Sequence, residues 1–206
     1  LNPDIVVVVA YGQLISERLL NIPKKGFINI HASLLPKWRG AAPIQRSIMN
    51  LDSETGISLM QIIEKLDSGP IIKQFKVKIT KKTTSGEISD YLSKTGSENI
   101  INTLDKIFNE KSKFIKQDHK LATYAKKIKK NEAKINWQES AEKIIAKING
   151  LNPAPGAWFM FKDARYKIWK AKICRKNGIP GKILDSNFII GCGEKSLEII
   201  EIQKEG

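Results

Sequence analysis

Cysteine, histidine and arginine are all scarce in this chain, and each shortage excludes something. Two of the 206 residues are cysteine. Cys174 and Cys192 lie far apart in apolar stretches, without the clustered Cys and His spacing that a structural zinc requires, so two reduced thiols are expected rather than a disulfide. The only histidines are His31 and His119, too few and too separated for a metal centre. No apolar run is long enough to cross a bilayer. The longest, over 5–11, suits a buried strand, and no cationic leader with a cleavage site precedes it. The expectation is a cytoplasmic protein with no metal and no membrane partner. Also missing are a Walker-type glycine-rich phosphate loop, a Ser-His-Asp arrangement on a strained nucleophile turn, and any internal repeat.

Positive charge is what the chain has in excess. The formal net charge is +14, and arginine stands only at positions 18, 39, 46, 165 and 175, so the rest of the basic residues are lysine. Such a balance favours polyanions, of which nucleic acid and folate polyglutamate are the soluble candidates. A lysine-, isoleucine- and asparagine-rich composition equally fits a base-composition bias in the source genome, and charge alone leaves both readings open.

Residues 4–10 are almost continuously β-branched and apolar, the pattern of a strand buried on both faces. Such a strand needs neighbours on both sides, yet it follows directly on Leu1-Asn2-Pro3, so a fragment of a longer fold is expected. A loop at Tyr11-Gly12, a short helix near 16–20 and a second strand over 26–30 make a βαβ pattern. This predicts the α/β class with a Rossmann-like, open, mostly parallel sheet. Pro43 suits the first turn of a helix running to 50. Strands over 57–63 and 71–79 flank the loop Asp67-Ser68-Gly69-Pro70. Residues 85–110 are amphipathic, with Ile88, Leu92, Ile100, Ile101, Leu104 and Ile107 at helical spacing and a break at Gly96.

These elements predict a first domain over 1–116. A lysine-rich stretch containing Lys126, Lys127, Lys129 and Lys130 predicts a basic linker over 117–133 with little core of its own. The remaining residues, 134–206, read as a second domain: a helix over 140–148, then strands over 157–161, 166–173, 182–184, 188–191 and 197–202, separated by turns as in a small β-barrel.

In an open α/β sheet, ligands bind beyond the carboxyl ends of the strands. Asn29 and His31 stand two positions apart at such an end, which places both side chains on one face. An amide donor beside an imidazole can stabilise charge developing on a carbonyl oxygen, and the imidazole can also move a proton. Asp67, in a comparable loop, can orient the imidazole or help to remove a proton from an attacking amine. Each residue also has a purely structural reading: Asn29 bonded to nearby backbone, His31 a satisfied, partly buried histidine, Asp67 a turn former.

The run FINIHASLLPKWRGAAPIQ from Phe27, followed by ETGISLMQIIEKLDSGPII from Glu54, resembles the folate-dependent formyltransferases. The likeness extends over nearly the whole chain, from VVVVAYG to NPAPGAWF. Asn-x-His, SLLP and LDSG are shared across that family. PIQRSI, ETGISLMQI and NPAPGAW separate members that act on a tRNA-bound amine from those that formylate glycinamide ribonucleotide or an amino sugar. The resemblance implies that Asn29, His31 and Asp67 match the catalytic triad. It implies that Ser33, Leu34, Leu35 and Pro36 lie against the folate, with Tyr11, Gly12, Gln13 and Leu14 near the pterin. It further implies 10-formyltetrahydrofolate as donor, the α-amine of methionyl initiator tRNA as acceptor, no metal, and a monomer. The neutral amine would attack the formyl carbon directly, Asn29 and His31 stabilising the oxyanion of a tetrahedral intermediate and Asp67 supporting proton movement.

The second domain is similar to the family's OB-like barrel, which contacts the acceptor arm. Lys162, Arg165, Lys167, Lys170, Lys172 and Arg175 can line such a surface, with Trp169 available for stacking or for the core; the same residues can be a solvated face. Members of the family carry a further N-terminal half-sheet, an inserted basic loop and a longer barrel, again pointing to a fragment. Three rival readings differ in what they release or accept. A hydrolase frees formate without an amine acceptor, a sugar-nucleotide formyltransferase prefers a sugar amine, and a folate- or RNA-binding module binds tRNA without turnover.

Overall fold

The structure, a computed structural model, describes residues 2–205. In chain order its elements are β1 (Val6–Val9), α1 (Glu17–Leu20), β2 (Phe27–His31), β3 (Arg39–Gly40), α2 (Pro43–Met49), β4 (Glu54–Gln61), β5 (Ile71–Lys78), α3 (Ser85–Phe108), β6 (Tyr124–Ala125), α4 (Ala141–Gly150), β7 (Ala157–Phe161), β8 (Ala164–Cys174), β9 (Ile189–Gly191) and β10 (Ser196–Lys204). The chain divides into two compact units. The first holds the segment ending at Ile44, Glu54–Lys78 and Ile88–Lys127; the second holds Gln45–Ser53, Ile79–Glu87 and the chain from Ile128 on.

In the first unit, four strands form a sheet in the order β1-β2-β4-β5. The α/β class holds, with parallel pairing at β1–β2 and antiparallel pairing at β2–β4 and β4–β5. Connection length decides the β4–β5 pairing, since the loop between those strands is too short for a parallel crossover. Strand β4 is buried from Thr55 to Met60, as a central strand should be. β5 alternates, with Lys73, Lys76 and Lys78 exposed along the sheet edge. The opposite edge departs from expectation. Along β1, Val6 and Val8 are half-buried on one face, while Val7 and Val9 on the other are exposed.

Helix α3 runs unbroken through Gly96, where a break was expected. Its buried face carries Ile88, Leu92, Gly96, Thr103 and Ile107, while Ile101 faces solvent. A Cβ at Gly96 would lie 3.3 Å from Ile30 Cγ2 and 3.8 Å from Ile57 Cδ1, so the glycine lets the helix lie close on β2 and β4. Thr103 satisfies its buried hydroxyl by donating to Asn99 O at 2.9 Å.

Residues expected to form a plain linker are built into the fold. Gln117, Ala125 and Ala133 are buried, and β6 pairs in parallel with β3.

The second unit centres on a curled antiparallel half-barrel in the order β7-β8-β10-β9. A two-residue turn at Lys162-Asp163, both with positive φ, joins β7 to β8. Helix α4 is capped by Ser140, whose hydroxyl accepts from Lys143 N, and places Ile144 and Ile148 in one core with Ile168 and Leu197. The strand expected over 182–184 reduces to a single bridge, Ile183 to Ile190. Both cysteines are free; burial pushes the Cys192 thiol up to about 11.

Candidate active site

Strand β2 lies between β1 and β4, with Asn29 opposite Val8 on one side and Met60 on the other. Alternation along the strand puts Asn29 and His31 on one face. His31 is 6% exposed, and its Nε2 lies 2.9 Å from Trp38 O. A carbonyl oxygen only accepts, so Nε2 carries the hydrogen and donates it. Nδ1 is thereby left as the nitrogen available for proton exchange. It faces Asp67 Oδ2 at 3.7 Å, within ion-pair range and beyond hydrogen-bond length.

Asp67 reaches His31 by a route that the sequence pattern did not anticipate. Because β4 runs antiparallel to β2, Gln61 at its carboxyl end lies opposite Ile28, near the start of β2. The 62–70 loop therefore folds back by about 10 Å, three residues of strand rise, to bring Asp67 beside His31. There Asp67 Oδ2 accepts from Gly40 N at 2.8 Å, and the residue holds a left-handed backbone with φ 44. Aspartate tolerates this region better than most side chains. Gly69 is required by close approach, since a Cβ there would collide with the carbonyl oxygen of Gln61. These two backbone demands explain the Asp-Ser-Gly order of the motif.

The segment after His31 is held from beneath. Ser58 Oγ donates to Ser33 O at 2.7 Å and accepts from Leu35 N at 3.0 Å, while Gln74 Nε2 donates to Leu35 O at 3.0 Å. Ser33 and Leu35 are buried, Leu35 packing with Met60 and Ile71. Leu34 and Pro36 are half-buried and present apolar surface, the kind a flat ring can pack on. Tyr11, Gly12, Gln13 and Leu14 lie in the exposed loop after β1. Tyr11 lines an apolar cleft of about 480 Å³ along β1, to which Asn29, His31 and Asp67 contribute nothing.

Of the cations proposed to face RNA, several are already matched. Glu205 pairs with Arg165 at 3.0 Å and with Lys167 at 3.4 Å, and Lys172 pairs with Glu198 at 2.8 Å. The Lys172 hydrogen bond holds the Glu198 carboxyl below its usual range. Arg165 also stacks over Trp158 at 4.3 Å from the ring centroid, and Trp169 donates its indole N–H to Gln203 Oε1.

Sequence reasoning passed over four side chains that shape this site: Arg39, Ser58, Gln74 and Gln117. Ser58 carries a legible signal as a polar residue set between Ile57 and Leu59 of a buried strand, and Arg39 as one of five arginines in a lysine-rich chain. Gln74 and Gln117 carry none, each being a polar residue among lysines.

A family model described as formyl transferase matches residues 1–104, and one described as formyl transferase, C-terminal domain, matches residues 127–206. The methionyl-tRNA formyltransferase of Pelagibacter ubique is 56% identical over 207 residues, covering 100% of this chain and 67% of its own length. That of Carboxydothermus hydrogenoformans is 45% identical, covering 100% of this chain and 68% of its own length. The chain thus spans about two thirds of the length of these relatives. Among solved structures, HypX from Aquifex aeolicus in complex with tetrahydrofolic acid is 16% identical with a TM-score of 0.77, covering 99% of this chain and 36% of that one, a likeness of fold. With both domains matched and relatives of such identity along its whole length, the chain belongs to the formyl transferase family and stands there with the methionyl-tRNA formyltransferases.

Proposed function

We propose that Asn29, His31 and Asp67 carry out transfer of a formyl group from 10-formyltetrahydrofolate to the α-amine of methionyl initiator tRNA. One observation carries the reading. His31 is fixed through Nε2 on Trp38 O, which leaves Nδ1 facing a carboxylate, two residues from an amide on the same strand face.

When bound, the folate supplies an activated formyl carbon, and Leu34 and Pro36 offer apolar surface for its ring. Asn29 donates from its side-chain amide to the oxygen on which negative charge develops. As the bond from the amine to the formyl carbon forms and the bond from that carbon to the folate nitrogen breaks, His31 Nδ1 and Asp67 support movement of the proton that the amine gives up to the departing folate nitrogen. Burial of His31 keeps water from competing for these interactions. We assign catalysis to residues 1–116, with Gln117 bonded to the loop of Asp67, and tRNA contacts to residues 134–206, in a cytoplasmic monomer. No helix of the described residues is long and apolar enough to cross a membrane.

The test is formyl transfer to methionyl-tRNA, measured beside glycinamide ribonucleotide and a sugar-nucleotide amine, with formate release followed in parallel. Methionyl-tRNA is expected to be the acceptor. Preference for another amine, or formate release without any acceptor, would reject the assignment.

A further inference from the structure

The guanidinium of Arg39 is buried, at 1% exposure, and bonds to neutral acceptors. Nε and Nη2 donate to Gln117 Oε1 at 3.1 and 2.6 Å, and Nη2 also donates to His119 Nδ1 at 3.0 Å. Nη1 is buried without a protein partner among the described residues. A buried arginine with one orphaned amino group is costly, and packing alone gives no reason to keep it.

Gln117 gives the reason. Arginine offers only donors, so the amide oxygen must face Arg39 and the amide nitrogen must point away from it. That nitrogen donates to Asp67 O at 3.0 Å and to Gly69 O at 2.7 Å. Gln117 thus joins a side chain that has only donors to a loop that presents carbonyls, a task that needs an acceptor and a donor on one planar group. Strands β4 and β5 anchor the 62–70 loop at Gln61 and Ile71, but Asp67 stands several residues from either end and beside His31, so its position depends on contacts made by the loop itself. We propose that Arg39 and Gln117 are positioning residues for the formyl transfer: Arg39 fixes the amide of Gln117, which clamps the Asp67 main chain in its left-handed conformation and so aims the carboxylate at Gly40 N and His31. This rests on the function proposed above.

The decisive variant is Gln117→Glu. It strengthens the contact to Arg39 with an ion pair and removes the donor to Asp67 and Gly69, leaving carboxylate facing carbonyl. Gln117→Met removes both contacts at similar volume and serves if the glutamate variant does not fold. Two readouts are needed. The first is hydrogen exchange at the Gly40 amide, which bonds to Asp67 Oδ2, in the full chain without substrate. Either variant is expected to accelerate it while protection in the middle of α3 is kept. The second is kinetic: kcat falls by ~10–100-fold, the scale of a small misplacement of a reacting group, with KM for the folate little changed. Combining Gln117→Met with Asp67→Asn is expected to cost no more than Asp67→Asn alone. Unchanged Gly40 exchange in both variants overturns the clamp. Additive losses in the double variant overturn its action through Asp67. Lack of formyl transfer by the unaltered chain would count against the proposed function and leave the exchange test standing.

Discussion

His31 donates from Nε2 to a backbone carbonyl, so its tautomer is set by the chain seven residues further on, and Nδ1 is the nitrogen left facing Asp67. Replacing His31 or Asn29 by alanine is therefore expected to lower kcat by ~10²–10³, the loss typical of one preorganised donor, with KM for formyl-folate little changed. Steady-state kinetics on either variant decide this; a near-normal kcat removes that residue from the chemistry. At this scale the motifs were legible. Asn-x-His and Asp-Ser-Gly are short, and strand alternation alone puts two of the three side chains on one face. The contact between His31 and Asp67 was not, because it depends on a loop that doubles back along the sheet.

Helix α3 is the element that backs the site. Its amphipathic spacing was readable, and so was Gly96, though as a break rather than as a point of close approach. An isolated glycine looks the same in sequence whether it ends a helix or admits a neighbour. Gly96→Val is expected to destabilise the first unit by about 1–3 kcal/mol through overpacking against Ile30 and Ile57, and to lower formyl transfer by shifting the strand that carries Asn29 and His31. Chemical denaturation measures the first effect. A variant as stable as the parent would mean that β2 and β4 yield easily. β1 teaches the complementary lesson: four consecutive valines give strand type reliably, yet whether both faces are covered depends on what packs above and below the sheet.

Across the whole chain, charge acts in two ways. In the second unit the Arg46 hydrogen bond holds the Glu132 carboxyl below its ordinary 4.5, Lys195 does the same for Glu142, and Lys176 for Asp185. A carboxyl whose pKa is lower folded than unfolded stabilises the fold above its unfolded value and loses that contribution as pH falls through its folded value. Glu132→Gln is thus expected to lower Tm at pH 7, and the gap from the parent should close as pH drops below about 4.5. A gap that stays constant down to pH 3 would show that the pair does not contribute. The net charge of +14 predicts tRNA binding that weakens steeply with salt. Glu205→Gln releases Arg165 and Lys167, so binding should tighten and the salt slope steepen by up to about 2 if both cations reach phosphate. An unchanged slope would place that face away from the RNA.

The sequence by itself determined the α/β class, most of the strands and helices, the division into two kinds of architecture, and the short motifs that hold Asn29, His31 and Asp67. All of these rest on interactions between residues near in the chain, which leave a periodic or motif-length trace. Only the tertiary structure decided that β4 runs against β2 and that Arg39, 78 residues from Gln117, helps to hold the loop of Asp67. Contacts over such separations depend on which elements become neighbours, and a lone glutamine among lysines carries no mark of the carbonyls that it will meet.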